Sequence, residues 1–139
     1  MITKKKIAYI SGTRADFGLM APILRAINKS KKLKLQIYAT GIHLMPEFGH
    51  TLSEVKKDFP GVSILNASFR TDNRSGTAEF TGDCLREIIV AFRKNRPDFV
   101  LTLGDRPEML CAAVACLYLG IPTGQIHAVD RSFTVDEPA

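Results

Sequence analysis

Hydrophobic positions along this chain fall into two kinds of run that take turns. Short, dense apolar runs appear in "KIAYISG" (6–12), "KLQIYATG" (34–41), "DFVLTLGD" (98–105) and "PTGQIHAV" (122–129), with a weaker one in "GVSILNA" (61–67). Such runs, bounded by Gly, Pro and polar residues, predict strands covered on both faces. Between them, apolar residues recur at helical spacing. Leu19, Met20, Ile23, Leu24 and Ile27 form one stripe, Cys84, Leu85, Ile88, Ile89 and Phe92 a second, and Met109, Leu110, Ala113, Val114 and Leu117 a third. A shorter helix is predicted over "HTLSEVKKDF" (50–59), and Pro97 and the pair Gly120 and Pro122 stop the later helices.

Strands alternating with helices predict a parallel, Rossmann-like sheet with helices on both faces, built as a single domain over residues 1–139. In such folds ligands bind beyond the carboxyl ends of the strands. The segments in that position are "GTRADFG", "TGIHLMPEFGHT", "NASFRTDNRSGTAEF", "GDRPE" and "HAVDRSFTVDE", and they hold most of the unusual chemistry.

Composition narrows the classes. Hydrophobic residues make up 45% of the 139 positions without low-complexity runs, which fits a globular chain rather than a disordered one. The apolar runs are too short to span a bilayer, and "MITKKKIAYI" reads as a first strand led in by lysines rather than as a signal peptide; a cytoplasmic protein without membrane contact is expected. Cys84, Cys111 and Cys116 lack a CxxC pair and read as reduced core thiols. Part of the net charge of +5 lies in Lys29, Lys31, Lys32 and Lys34, where no aromatic residues interleave, which argues against nucleic acid and suits an anionic small ligand.

Gly12 allows a tight turn into the first predicted helix. Free amides at that helix start and the guanidinium of Arg14 suit an anion; alternatively Arg14 pairs with Asp16 or Asp105. In "GDRPE", Asp105 and Glu108 flank Arg106 at a strand end. They suit acid/base work or a ribose hydroxyl, or else a capping box with Asp105 as cap, Pro107 in the first turn and Glu108 at the third helical position. His43, His50 and His127 lack metal-ligand spacing, so no metal is expected; His127 at its strand end reads as a hydrogen-bonded residue or a phosphate or sugar contact. "FRTDNRSGT" (69–77) reads as a solvated, mobile loop.

Taken together, "GTRADFGLMAPI", "TGIHLMPEFGHT", "GDRPE" and "PTGQIHAVDRSFTVDE" resemble the UDP-N-acetylglucosamine 2-epimerase family, in particular its hydrolysing branch that feeds sialic-acid synthesis. The resemblance covers almost the whole chain. It implies the N-terminal half of a glycosyltransferase-B-like enzyme whose active site lies between two Rossmann-like domains. The family's reaction eliminates UDP through a 2-acetamidoglucal and then returns UDP, or adds water, with inversion at carbon 2; it uses no cofactor. The resemblance matches Arg14 to the arginine that meets the UDP phosphates, Asp105 to a carboxylate implicated in catalysis, His127 to the histidine that opens the family's His-x-Glu-Gly-Gly stretch, and Asp136 and Glu137 to the Asp-Glu pair that follows it. With these, Asp105, Asp130 and Glu137 are the candidate catalytic carboxylates, and Gly12, Arg14, Asp16, His43, Arg106, Glu108 and His127 the candidate substrate contacts.

The chain departs from the family pattern: the glycine pair after the histidine is missing, and the spacing from His127 to Glu137 is shorter than usual. Leu19 stands where a lysine is usual, and Val129 where a catalytic glutamate is usual, with Asp130 next to it. The family chain is also well over twice as long. The expectation is therefore a chain inactive by itself, completed by a separate C-terminal-half chain or acting within a homo-oligomer. The alternatives are a non-catalytic relative that binds a nucleotide sugar weakly or serves as an interaction module, and an unrelated flavodoxin-like anion binder.

Overall fold

The computed structural model describes residues 3–49 and 51–126. His50, His127, Asp130, Asp136 and Glu137 lie outside the described residues. The elements run β1 (Lys5–Ser11), α1 (Arg14–Lys29), β2 (Leu33–Ala39), α2 (Thr51–Asp58), β3 (Ser63–Ile64), α3 (Arg74–Lys94), β4 (Phe99–Leu103), α4 (Pro107–Leu119) and β5 (Thr123–Ile126). Two short 3-10 turns, Gly41–Leu44 and Pro46–Phe48, link β2 to α2.

The strands form one sheet in the order β3-β2-β1-β4-β5, and every pairing is parallel. The chain therefore builds outward from β1 in one direction through β2 and β3, then returns to add β4 on the other side of β1. That reversal is the switch point of an open α/β sheet, and it opens a crevice beyond the ends of β1 and β4. The fold class read from the sequence is the one observed.

The two-residue period of a strand sends alternate side chains of β1 to opposite faces. Ala8 and Ile10 join Tyr38, Phe80, Ile88, Phe92 and Val100 on one side, with the buried faces of α3 and α4. Tyr9 joins Phe17, Met20, Leu24, Ile37, Val55 and Phe59 on the other, under α1 and α2.

Three local expectations are corrected. The buried face of α1 is Phe17, Met20, Ala21, Leu24 and Ile27, while Leu19 is 66% exposed and Ile23 also faces outward. Helix α4 is apolar on nearly every side, so hydrophobicity alone did not mark its inner face. Its small residues Ala112, Ala115 and Cys116 face the core and allow close approach to α3, whereas Leu110 and Leu117 are 58% and 72% exposed. The third correction is "FRTDNRSGT", of which residues 74–77 are helix. Asn73 caps α3 by accepting the Gly76 amide at 2.8 Å. Upstream, Phe69 stacks on Phe80 at 4.2 Å between ring centroids, and Arg70 pairs with Glu79 at 3.2 Å and Asp83 at 2.7 Å. Contacts made by residues distant from the polar stretch thus fasten it to the helix.

Candidate functional site

The turn after β1 is closed by one carboxylate. Thr13 caps α1 and Asp16 stands three residues on, a reciprocal capping box written in the sequence as T-R-A-D. Asp16 is buried. Its Oδ2 accepts from the Gly12 amide at 2.9 Å, the Thr13 amide at 2.7 Å and the Thr13 hydroxyl at 3.0 Å; its Oδ1 accepts from the Tyr9 hydroxyl at 2.8 Å and the Ser11 hydroxyl at 2.7 Å. The amides of Gly12 and Thr13 are thus committed within the turn, and those of Arg14 and Ala15 are the early helix donors the turn leaves over. Burial first, and Asp16 second, push the Tyr9 phenol far above its ordinary range, so Tyr9 stays a donor.

Ser11 links this turn to the loop after β2. Its hydroxyl proton goes to Asp16, so its oxygen accepts from His43 Nε2 at 2.8 Å. His43 is buried in the turn Gly41–Leu44. Burial lowers its pKa below 6.5, opposed by Asp16, Glu108 and the Thr13 carbonyl. The imidazole is therefore held neutral, with its Nε2–H directed at Ser11.

The third strand end contributes an ion pair. Pro107 opens α4 at its first position, and Arg106 is the cap residue without a side-chain cap bond. The capping box expected from Asp105 and Glu108 does not form, because the Glu108 side chain turns inward. Glu108 is 0% exposed, and Arg106 reaches it with Nε to Oε2 and Nη2 to Oε1, both at 3.1 Å. Gly12 leaves the space that this carboxyl group fills: a Cβ there would overlap Glu108. Gly41 borders it too, with φ of 64° and an added Cβ only 3.3 Å from Glu108 Oε1.

Arg106 also lines a cleft of about 470 Å³, with Ile42, Met45, Phe48, Phe69 and Arg70 among its walls. Glu47 and Asp72 also line it, and Arg70 is paired with Glu79 and Asp83, so Arg106 is the cleft's guanidinium most available to an anionic group, beside apolar walls that suit a flat or carbohydrate part.

The structure thus brings together Gly12, Asp16, His43, Arg106 and Glu108 of the residues singled out in the sequence. Asp105 sits exposed on the turn after β4. Arg14 pairs with neither Asp16 nor Asp105; it meets Glu54 of α2 at 3.1 Å in an exposed pair. His127, Asp130 and Glu137 are outside the described residues. Sequence reading missed Tyr9, Ser11 and Thr13. The capping-box spacing signals Thr13, but no local pattern signals the reach of Ser11 to His43, 32 positions away.

Comparison with known proteins bears on this site. The sequence pattern describing UDP-N-acetylglucosamine 2-epimerases matches residues 25–139. The chain belongs to the UDP-N-acetylglucosamine 2-epimerase family. It is 41% identical over 96% of its length to a hydrolysing UDP-N,N'-diacetylbacillosamine 2-epimerase of Legionella pneumophila, covering 36% of that protein. A hydrolysing GDP/UDP-N,N'-diacetylbacillosamine 2-epimerase of Campylobacter jejuni is 37% identical over 87% of the chain, which covers 32% of it. Among solved structures, the Methanocaldococcus jannaschii UDP-GlcNAc 2-epimerase in complex with UDP-GlcNAc and UDP superposes with a TM-score of 0.73 at 26% identity, over 94% of this chain and 34% of that one. The chain therefore spans about a third of the length of these relatives and matches them over one domain, of the glycosyltransferase-B type.

Proposed function

We propose that this chain forms one wall of the active site of a hydrolysing 2-epimerase that acts on a UDP-linked 2-acetamido sugar. The observation that carries this reading is the 41% identity to a hydrolysing enzyme, over a chain whose switch-point crevice gathers Arg106, His43 and the start of α1. Elimination of UDP builds charge on a leaving diphosphate. Fixed guanidinium groups and oriented amides stabilise such charge without reorganising. Arg14 and the amides of Arg14 and Ala15 suit the diphosphate, and Arg106 reaches toward it from the neighbouring strand end. Asp105, exposed on the turn after β4, is the carboxylate proposed to take the proton from carbon 2, with Asp130 and Glu137 proposed beside it.

The other wall of the cleft is proposed to come from a second domain, supplied within a longer chain or by a separate chain. Without it, turnover by residues 1–139 is not expected. UDP-N-acetylglucosamine, giving N-acetylmannosamine for sialic-acid synthesis, is the sugar that the motifs suggest. A second reading, a diacetylated sugar such as UDP-N,N'-diacetylbacillosamine, is favoured by identity: 41% against 31% for the UDP-N-acetylglucosamine 2-epimerase of Neisseria meningitidis.

The test is to incubate the purified chain with each UDP sugar, alone and with a C-terminal half from a hydrolysing relative. Free UDP with the 2-epimeric sugar, appearing only in the complemented reaction, supports the reading. The preferred sugar decides between the two substrates. Failure of both sugars to bind in either reaction contradicts it.

A further inference from the structure

We propose that Glu108 is a positioning residue, holding the Arg106 guanidinium at the mouth of the strand-end cleft so that its remaining N–H groups face an anionic ligand. This rests on the reading of the cleft as a nucleotide-sugar site. The starting point is a charge in an expensive place. Glu108 is 0% exposed, and a carboxylate leaves water at considerable cost unless it is paired. It does not cap α4, and among the described residues its hydrogen bonds go to Arg106. That fork takes Nε–H and one hydrogen of Nη2, and among the described residues the other guanidinium donors have no partner. The Arg106 side chain remains 38% exposed beside the cleft. A flexible arginine is thereby held in one orientation before any ligand arrives.

The glycines support the same assignment. The carboxyl group occupies space that side chains at Gly12 and Gly41 would take. One buried carboxylate is thus fitted against the loops after β1 and β2 while its own helix follows β4.

Charge and position predict opposite signs. Removing a negative charge beside Arg106 should strengthen anion binding if only the local field matters. Loss of positioning should weaken it. In the 139-residue chain, Glu108→Gln is therefore expected to weaken UDP binding, and inorganic pyrophosphate binding with it, by about tenfold. A second measurement needs no substitution to fold. The Nε–H signal of Arg106, assigned by through-bond correlation along its own side chain in the parent chain, should exchange with water about tenfold more slowly than that of exposed Arg93 in the ligand-free chain. Weaker binding by E108Q together with slow exchange in the parent chain supports the proposal. Exchange as fast as that of Arg93 overturns it, whatever UDP does. Unchanged or tighter UDP binding by E108Q, with binding still weakened by Arg106→Lys, overturns positioning and leaves the nucleotide reading intact. A parent chain that takes up neither UDP nor pyrophosphate overturns the nucleotide reading and, with it, the ligand-facing role of Arg106.

Discussion

A side chain at Gly12 and the carboxyl group of Glu108 would claim the same space. The turn after the first strand is therefore shaped by a residue that lies 96 positions later. Gly12→Ala should force Glu108 and its partner Arg106 to shift, at about 1–3 kcal/mol of overpacking. Gly18, within α1, has nothing within 4 Å of an added Cβ, so Gly18→Ala should stabilise by about 0.5–1 kcal/mol. Urea unfolding midpoints of the two variants should move in opposite directions; a tolerated Gly12→Ala would contradict the packing described.

The two arginines of the crevice should differ in structural weight. Arg14 and Glu54 are 74% and 47% exposed in their side chains, and such a pair contributes little. Arg14→Ala should cost less than about 1 kcal/mol. Arg106→Met leaves the buried Glu108 carboxylate without its partner and should cost about 2–4 kcal/mol. Thermal unfolding compares them directly, and equal losses would argue against a buried pair.

Acid should destabilise the fold through His43. Burial lowers its pKa in the folded chain below the ordinary 6.5. The unfolded chain then binds a proton more readily than the folded one. The stability this contributes is full above the unfolded value and declines as pH falls below about 6.5. His43→Gln removes that dependence while retaining a donor for Ser11. The stability difference between parent and variant should be flat at mildly alkaline pH and should fall on acidification; a rise on acidification would reverse the assignment.

The periodicity of apolar residues carried the parallel sheet, because a buried strand and an amphipathic helix leave distinct spacings. It misjudged α4, where polar residues are absent from the middle of the helix and side-chain size, rather than polarity, selects the inner face. It also left "FRTDNRSGT" as loop, since the stack of Phe69 on Phe80 and the pairs of Arg70 are invisible in local composition. At the site, Gly12, Asp16, His43, Arg106 and Glu108 stood out as residue types at strand ends. Their roles did not. Asp16 closes its own turn through Gly12 and Thr13, and Glu108 turns back to Arg106, all within four positions; the contacts that only the sheet topology brings near are those of Ser11 with His43 and of Glu108 with the space left by Gly12 and Gly41.

The cysteines should be inert in the folded chain. Burial pushes the Cys116 thiol up to about 11, and the neighbouring Cys111 thiol together with burial pushes Cys84 up. The hydrogen bond from Cys84 moves the Cys111 thiol the other way, below its ordinary value, but Cys111 is buried and donates to the Thr81 carbonyl at 3.2 Å, so inaccessibility rather than acidity protects it. A thiol-reactive chromogenic disulfide at mildly alkaline pH should react with none of the three until denaturant is added. Rapid labelling of the native chain would show α3 and α4 opening far more readily than their packing implies.

The central claim is that the ends of β1, β2 and β4 bind the diphosphate of a nucleotide sugar. Titration of UDP into the 15N-labelled chain, followed by amide shifts, tests it most directly. If a second domain supplies the other wall, as proposed, the affinity of residues 1–139 should be about millimolar and should weaken with salt. The account predicts shifts clustered at residues 12–16, 41–43 and 104–108, lost in Arg14→Ala and retained in Lys32→Ala. Shifts confined to the lysines of residues 29–34, with the strand-end turns unmoved, would contradict it.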